Sequence, residues 1–390
     1  MRIVFVTPKL NFTTAGGSVF DIDLKARALQ ELGHDVTMVT TYSHRNDMPT
    51  TVPYPVISEQ VTSPGQLGIS YQVYRLLKKY ESQADVFHID GHIFLYAGGM
   101  YRRLGGKVPV AAFFNRELVV FPRDVPAYVG GKADEALPSM PRRVKESVRR
   151  MLEKSIGMWL ANALDVTTFT SPVIQKVYRD FGLNTYHQLI TPDLAGGVLS
   201  PKKRVVSVRD FVHILCAGRL IPTKGFDLAL RALAKMQSTV DVHMTIVGGG
   251  PDEVRLKTLA RELGVEDRVT FTGWLTHDAL FPLFENADMF LMPRWRKELT
   301  SVVLMEAMSY GVPSVIPGGG GVEWQAGGGA KTFLYDNPES LAGVLDAVTQ
   351  DAVLRQKLSD AALSRLDELH YRHWIPSLSQ VLCTITGMKS

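Results

Sequence analysis

Short apolar runs that alternate with amphipathic stretches leave a chain few ways to fold. Such a run has no wet face, so as a strand it must be covered on both sides, and a parallel sheet between helices provides that cover. This sequence goes through the alternation twice. In the first half IVFV (3–6), VTMVT (36–40), DVFHI (85–89), VPVAAFF (108–114) and VTTFT (166–170) read as buried strands. Helical stretches such as VFDIDLKARALQELG (19–33) and SVRRMLEKSIGMWLANAL (147–164) lie between them. The series restarts with HILCAG (213–218), HMTIVGG (243–249), RVTFTG (268–273), MFLMP (289–293) and PSVIP (313–317). In the join, DLAGGVLSPKKRVVSVRD (193–210), Gly, Pro and charge replace periodicity. The expectation is two similar α/β domains, 1–200 and 201–374, meeting across a cleft toward which strand C-terminal ends point. A last helix within 375–390, read at 376–386, is expected to dock on the first domain.

At 390 residues the chain is too long for one ordinary core, which agrees with two domains. Hydrophobic content of 45% beside 21% charged residues excludes a disordered chain. The net charge of +4 makes no demand for nucleic acid. The excess is local: residues 101–160 hold twelve Lys/Arg against six Asp/Glu. Such a region attracts phosphorylated or acidic acceptors, or an anionic membrane surface touched peripherally. Within it, the helix read from Arg142 to Ala163 sets Val144, Val148, Met151, Leu152, Ile156 and Trp159 along one side. Two readings stand, a stripe packed into the core or an interfacial helix that meets lipid-linked acceptors. Cys216 and Cys383 are far apart and have no metal-ligand spacing, so they read as reduced thiols. MRIVFVTPKL is too short an apolar run for a signal peptide, and no segment offers eighteen uninterrupted apolar residues. A cytoplasmic location is expected, reaching at most the inner face of the membrane.

Three stretches carry the chemistry. In AGRLIPTKGF (217–226) a strand ends on a glycine, and Arg219 and Lys224 follow just before a helix. A diphosphate needs cations from different directions; arginine supplies a planar fork and lysine a mobile point charge. Alone, that spacing fits a turn with solvated cations; its place after the first strand of the second domain points to an anion site. In VGGGPDEVRLKTLARELG (247–264), Gly248, Gly249 and Gly250 permit close backbone approach and Pro251 suits a first helical turn. A tight turn without a ligand is the alternative. In PRWRKELTSVVLMEAMSYG (293–311), Thr300 and Ser301 are N-cap candidates and Gly311 a terminator, so a helix is read from about 301 to 310. Glu298 then stands in the loop before that helix. The amides of Thr300, Ser301, Val302 and Val303 form an anion seat at its N-terminus. Glu306 lies inside it among Leu304, Met305, Ala307 and Met308, where a carboxylate needs partners that sugar hydroxyls can supply. HIDGHI (88–93) sets His88, Asp90 and His92 at alternate positions, without the fourth ligand that a metal site needs.

In this order the motifs resemble the retaining GT-B glycosyltransferases of family 4. The likeness rests on G-R-L-x-x-x-K-G (218–225), V-G-G-G-P (247–251), RVTFTGWL (268–275), ADMFLMP (287–293), E-x7-E from Glu298 to Glu306, EAMSYGVPSVIP (306–317) and GGVEW (320–324). Gly16, Gly17 and GHDVTMVT (33–40) extend it over nearly the whole chain. It implies α/β architecture of the GT-B kind, with two Rossmann-like doubly wound domains facing across a cleft. It also implies a retaining transfer of a sugar from a nucleotide diphosphate donor, UDP-linked in preference to GDP-linked, to a hydroxyl acceptor in glycan, glycolipid or metabolite synthesis. Arg219 and Lys224 would bind the diphosphate, helped by the amides around Thr300, Ser301 and Val302. Glu298 would hold sugar hydroxyls and Glu306 the ribose. Gly249, Gly273 and Trp274 would line the nucleotide, with the Gly16–Gly17 loop, while Asp90 and His92 would line the acceptor side. No metal or other cofactor is expected, because fixed cations and helix amides can stabilise the leaving diphosphate.

There is one departure. The family strand matching VPVAAFF usually ends in a histidine that touches the donor sugar, and Asn115 stands at that place. Asparagine can hydrogen-bond a hydroxyl but carries no charge near neutral pH. Either Asn115 keeps only the positioning role, or Arg116 or Glu117 takes part of it. Two other activities stay open, a GT-B isomerase of nucleotide sugars and a non-catalytic nucleotide-sugar binding protein.

Overall fold

The structure, a computed structural model, describes residues 1–12, 17–48, 51–63, 66–90, 92–114, 148, 151–192, 202–206, 211–294 and 300–388. Two parallel sheets dominate it. The first is built from β1 (Arg2–Thr7), β2 (Asp35–Thr40), β3 (Val56–Ser58), β4 (Val86–Asp90), β5 (Val110–Phe114), β6 (Val166–Phe169) and β7 (His187–Ile190). The second is built from β8 (Phe211–Ala217), β9 (Asp241–Val247), β10 (Val269–Gly273), β11 (Met289–Leu291), β12 (Ser314–Pro317) and β13 (Ala330–Phe333). The spatial orders are β3-β2-β1-β4-β5-β6-β7 and β10-β9-β8-β11-β12-β13. Both sheets therefore start in the middle, wind outward one way, then return to wind the other. The direction reverses between β1 and β4, and again between β8 and β11, and at such a switch point an open α/β sheet leaves a ligand crevice.

The fully buried strands are those whose apolar runs are plain in the sequence. All residues of β4 and β5 are buried. The strands without such runs, β3, β7 and β13, lie at or near sheet edges and are only partly covered. An edge strand with one solvated side has no need for a continuous apolar run.

The described residues fall into two compact units. One takes in those of Met1–Phe121, Pro138–Leu194 and Leu369–Ser390, and the other those of Ala195–Glu368. The chain thus returns to the first unit at Leu369, ahead of the 374/375 boundary read from the sequence. The closing helix spans Tyr371–Thr386, so Pro376 lies inside it and does not open it. His370 caps it, its ring accepting from the Arg372 amide at 3.3 Å. Ile375, Leu378 and Leu382 of this helix join Ile3, Phe5, Leu29 and Val36 in one core. A 2.6 Å bond between His34 Nε2 and Ser379 Oγ adds a polar tie. The second unit has its own core, around Ile214, Leu228, Ile246, Leu291 and Leu345.

The stripe read on the basic helix is not packed into the core. Val148, Met151, Leu152, Ile156 and Trp159 are all exposed, and the buried residues of that segment are Met158, Leu160 and Ala161. A π-helical stretch at Glu153–Gly157 interrupts this helix, and the exposed apolar residues lie before, within and after it. Among the described residues, no helix is long and apolar enough to cross a membrane.

Candidate functional site

In the second unit the chain leaves β8 at Gly218, passes Arg219, and turns through a 3-10 segment, Pro222–Lys224, into the Phe226–Lys235 helix. Gly225, between lysine and helix, has φ +71°. A Cβ there would also lie 1.8 Å from the Pro293 carbonyl oxygen. Only glycine lets the Lys224 turn press on the end of β11. Residue 294, just past that end, is an arginine that is 7% exposed. Arg219, Lys224 and Arg294 therefore meet where the sheet's winding reverses. Burial, with Arg294 and then Arg219 adding repulsion, pushes the Lys224 ammonium down to about 7. Burial and the Arg219 charge bring the Arg294 guanidinium down to about 9. Positive charge is crowded at this spot.

The glycine turn after β9 lies beside the same loop. Gly248 has φ +136°, and a Cβ on it would meet the Gly218 carbonyl at 1.9 Å. Backbone bonds from Gly218 to Val247, from Leu220 to Gly249 and from Gly248 to Gly273 tie the ends of β8, β9 and β10 together. Gly249 is the open one: a Cβ there comes no nearer than 3.9 Å to anything, and what it approaches is the Trp274 backbone nitrogen. Trp274 itself is 70% exposed, its indole free to receive a flat ring. Pro251 does not open the next helix. Asp252 is the cap and the helix starts at Glu253.

Ser301 caps the Val302–Ser309 helix, accepting from Leu304 N at 3.4 Å. The amide of Ser301 is occupied by Gln325 Oε1 at 2.8 Å. The expected seat of amides thus loses Ser301 and keeps Thr300, Val302 and Val303, whose amides have no acceptor among the described residues. Glu306 is on this helix and 3% exposed. Glu298, its companion in the spacing argument, lies outside the described residues, as do Gly16, Asn115 and Arg116.

The first unit has a different arrangement at its own switch point. Asp90 ends β4 and is buried. His92 opens the His92–Arg103 helix and Gly17 the Gly17–Glu31 helix. On the latter, Lys25 and Asp21 form a buried ion pair of 2.6 Å. The Lys25 ammonium also sits 3.3 Å from the centre of the Phe113 ring. His88 is buried against Phe5, ring centres 4.5 Å apart, with no hydrogen bond to either side-chain nitrogen among the described residues. Burial, and then the Lys25 charge, hold it neutral by lowering it to about 3. Neither the Asp21–Lys25 pair nor Arg294 and Gln325 were read as site residues from the sequence. The i,i+4 spacing in DIDLK and the arginine directly after the strand-ending Pro293 were the available signals.

Comparison with known proteins decides the lineage. Residues 202–365 match the family model described as Glycosyl transferases group 1, and residues 15–188 match Glycosyltransferase Family 4. The chain belongs to glycosyltransferase family 4. One of its relatives is the GDP-mannose-dependent alpha-(1-6)-phosphatidylinositol monomannoside mannosyltransferase of Mycobacterium tuberculosis, 33% identical over 223 residues. That match covers 52% of this chain and 57% of the relative, so the chain spans little more than half the relative's length. Another is the lipopolysaccharide core biosynthesis glycosyltransferase LpsD of Rhizobium meliloti, 29% identical over 266 residues, which are 67% of this chain and 75% of that one. Among solved structures, sucrose-phosphate synthase from Thermosynechococcus elongatus superposes with a TM-score of 0.74 at 17% identity, covering 99% of this chain and all of that one. Anabaena HepE in complex with UDP gives 0.70 at 16%, each chain covered fully. At such identity the likeness is one of fold, and the fold is GT-B.

Proposed function

We propose that this family 4 member is a retaining glycosyltransferase that moves a sugar from a nucleoside diphosphate donor to a hydroxyl of a glycan or glycolipid. The observation that carries the reading is the crowding of Arg219, Lys224 and Arg294 at the β8/β11 switch point. Like charges brought together repel, and a protein accepts that where an incoming anion will relieve it. As the bond from sugar to diphosphate breaks, negative charge grows on the leaving oxygens, and cations already in place stabilise it without reorganising. The first-turn amides of Val302 and Val303 add partial positive charge. With protein cations in this role, we propose that no metal is required. Retention follows if the acceptor hydroxyl attacks from the face the diphosphate leaves, with a departing phosphate oxygen taking its proton. No second carboxylate in the manner of a hydrolase pair is then needed.

For the base, the mycobacterial relative is by name GDP-mannose-dependent, which moves our preference from uracil to guanine. The two relatives' names speak of a phosphatidylinositol mannoside and of lipopolysaccharide core, so we propose a lipid-anchored acceptor. The exposed Met151, Leu152, Ile156 and Trp159, with Arg103 stacked 4.6 Å from the Trp159 ring, would give the first unit its hold on an anionic membrane face.

A thermal-shift screen of GDP- and UDP-sugars tests the donor reading, since a ligand that binds the native state raises its melting temperature. Transfer assays with the donor so found, with and without EDTA, then test the reaction. Turnover without acceptor would make the protein an isomerase. Binding without any transfer would make it a non-catalytic receptor.

A further inference from the structure

The helix between β3 and β4, Gln66–Tyr80, carries on its outer side a stripe that the donor site does not use. As a crossover between parallel strands it runs against them, so its first turns lie toward the strand C-terminal ends, where Asp90 closes β4. Leu67, Tyr71, Arg75 and Lys79 follow at every fourth position and are all exposed. They line one side of the helix over about 18 Å. Leu67 is 80% exposed and Tyr71 55%. Tyr71 stacks on Tyr74, ring centres 6.0 Å apart. Beside this stripe lies a cavity of about 380 Å³, lined by Gln60, Val61, Gln72, Arg75, Leu76 and Lys79. Gln72 Oε1 accepts from the amides of Thr62 and Ser63 at 2.9 and 3.3 Å, which fixes its carboxamide and turns Nε2 away from that turn. The Gln60 carboxamide meets the His44 ring. Lys79 is paired with Glu59, a carboxylate that also takes the Tyr80 hydroxyl. Arg75 has neither an ion pair nor a hydrogen bond among the described residues.

Each of these groups matches one part of a charged sugar. The C–H face of a pyranose ring packs on the electron-rich face of an aromatic ring. A carboxamide donates and accepts, as a hydroxyl does. The planar fork of an arginine fits the two oxygens of a carboxylate or phosphate. A neutral glycan has no use for the arginine. A bilayer surface meets apolar and basic side chains on a convex face, and two carboxamides lining a hollow are wasted on it.

We propose that this stripe and its cavity bind an acidic saccharide, with Tyr71 under a sugar ring, Gln60 and Gln72 on hydroxyls and Arg75 on a carboxylate or phosphate. The proposal rests on the glycan acceptor read above and adds to it an anionic sugar, held away from the hydroxyl that reacts.

Affinity electrophoresis and saturation-transfer NMR on the full chain test this. The probes are a short oligogalacturonate, the neutral galactose oligomer of equal length, galactose 6-phosphate and inorganic phosphate. The wild type should bind one of the two acidic saccharides about tenfold more tightly than the neutral oligomer, and added salt should erode that difference. Which of the two binds better identifies the anionic group. Inorganic phosphate should compete poorly, because it lacks the ring and the hydroxyls. Arg75→Ala should abolish the preference for acid, and Tyr71→Ala should weaken acidic and neutral probes alike. Both side chains are exposed, so neither change should lower the melting temperature appreciably. Equal binding of acidic and neutral oligomers, no binding of either acidic saccharide, or wild-type binding by the double variant Tyr71→Ala with Arg75→Ala would overturn the proposal. Vesicles of phosphatidylcholine with phosphatidylglycerol form the last arm. If they bind the wild type but not the double variant, and no saccharide binds, the stripe meets a membrane and the proposal falls. In all these cases binding of GDP or UDP leaves the donor reading standing. A chain that binds the acidic saccharide and neither nucleotide would instead remove the donor reading and keep this site.

Discussion

The two sheets wind in the same order yet treat charge at their switch points in opposite ways. In the first unit the lysine near the strand ends is paired: Lys25 meets Asp21 at 2.6 Å and packs on Phe113, and burial, with its field second, keeps His88 neutral. In the second, burial and then the charges of Arg294 and Arg219 lower Lys224 to about 7. A buried ion pair holds structure together, whereas like charges brought close favour the arrival of an anion. One topology thus carries two different charge arrangements, and the proposed function places the diphosphate at the second.

The largest effect expected is on ligand binding in the second unit. Removing both members of its basic pair, Arg219→Ala with Lys224→Ala, takes away two charge-assisted contacts of roughly 1.5–3 kcal/mol each. Nucleoside diphosphate affinity should fall by about 10²- to 10⁴-fold in calorimetry. Folding should suffer little, since Arg219 is exposed and Lys224 only partly buried. A double variant that binds GDP and UDP as the wild type does would break the comparison at once.

The matching change in the first unit should act on stability. Lys25→Met leaves Asp21 with a buried charge and no ammonium, a loss of about 3–5 kcal/mol. The double change Asp21→Asn with Lys25→Met should recover most of it, because the penalty lies in the orphaned partner. Urea unfolding followed by first-unit tyrosine and tryptophan signals measures both. Nucleotide affinity should be unmoved in either variant. Were Lys25→Met as harmless to folding as Lys224→Ala, the contrast between a structural and a functional lysine would be void.

Much of this was legible in the sequence because burial on both faces writes itself as unbroken apolar runs. The strands from IVFV to PSVIP could be placed to within a few residues, and β3, β7 and β13 could not, because partial cover leaves no such mark. The Ser301 cap and the glycine-lined loops were visible for local reasons, a hydroxyl before a helical period and turns that admit no side chain. Arg294 and Gln325 stayed hidden for the opposite reason. Each matters through contacts with residues distant in sequence, and nothing in PRWRK says that its first arginine is buried. The basic helix left two readings open because periodicity marks a face without saying what covers it, and its stripe proves exposed.

Gln325 offers the smallest effect and a clean separation of two sources of positive potential. Its Oε1 accepts from the Ser301 amide at 2.8 Å in a buried position, so it takes one of the four free donors at the start of the Val302–Ser309 helix. Its Nε2 is buried as well and has no hydrogen-bond partner. Gln325→Glu keeps an acceptor for Ser301 and sets a negative charge at the helix N-terminus, in a fully buried position that also penalises that charge. The same charge competes with an arriving phosphate. If the helix amides share the diphosphate, this variant should bind GDP or UDP several-fold more weakly. Gln325→Ala should instead lose about 1 kcal/mol of stability through the unsatisfied Ser301 amide while affinity changes little. Calorimetry and thermal melting on the two variants separate these outcomes. Equal nucleotide affinity in both would assign the anion site to the side-chain cations alone and leave the helix as scaffold.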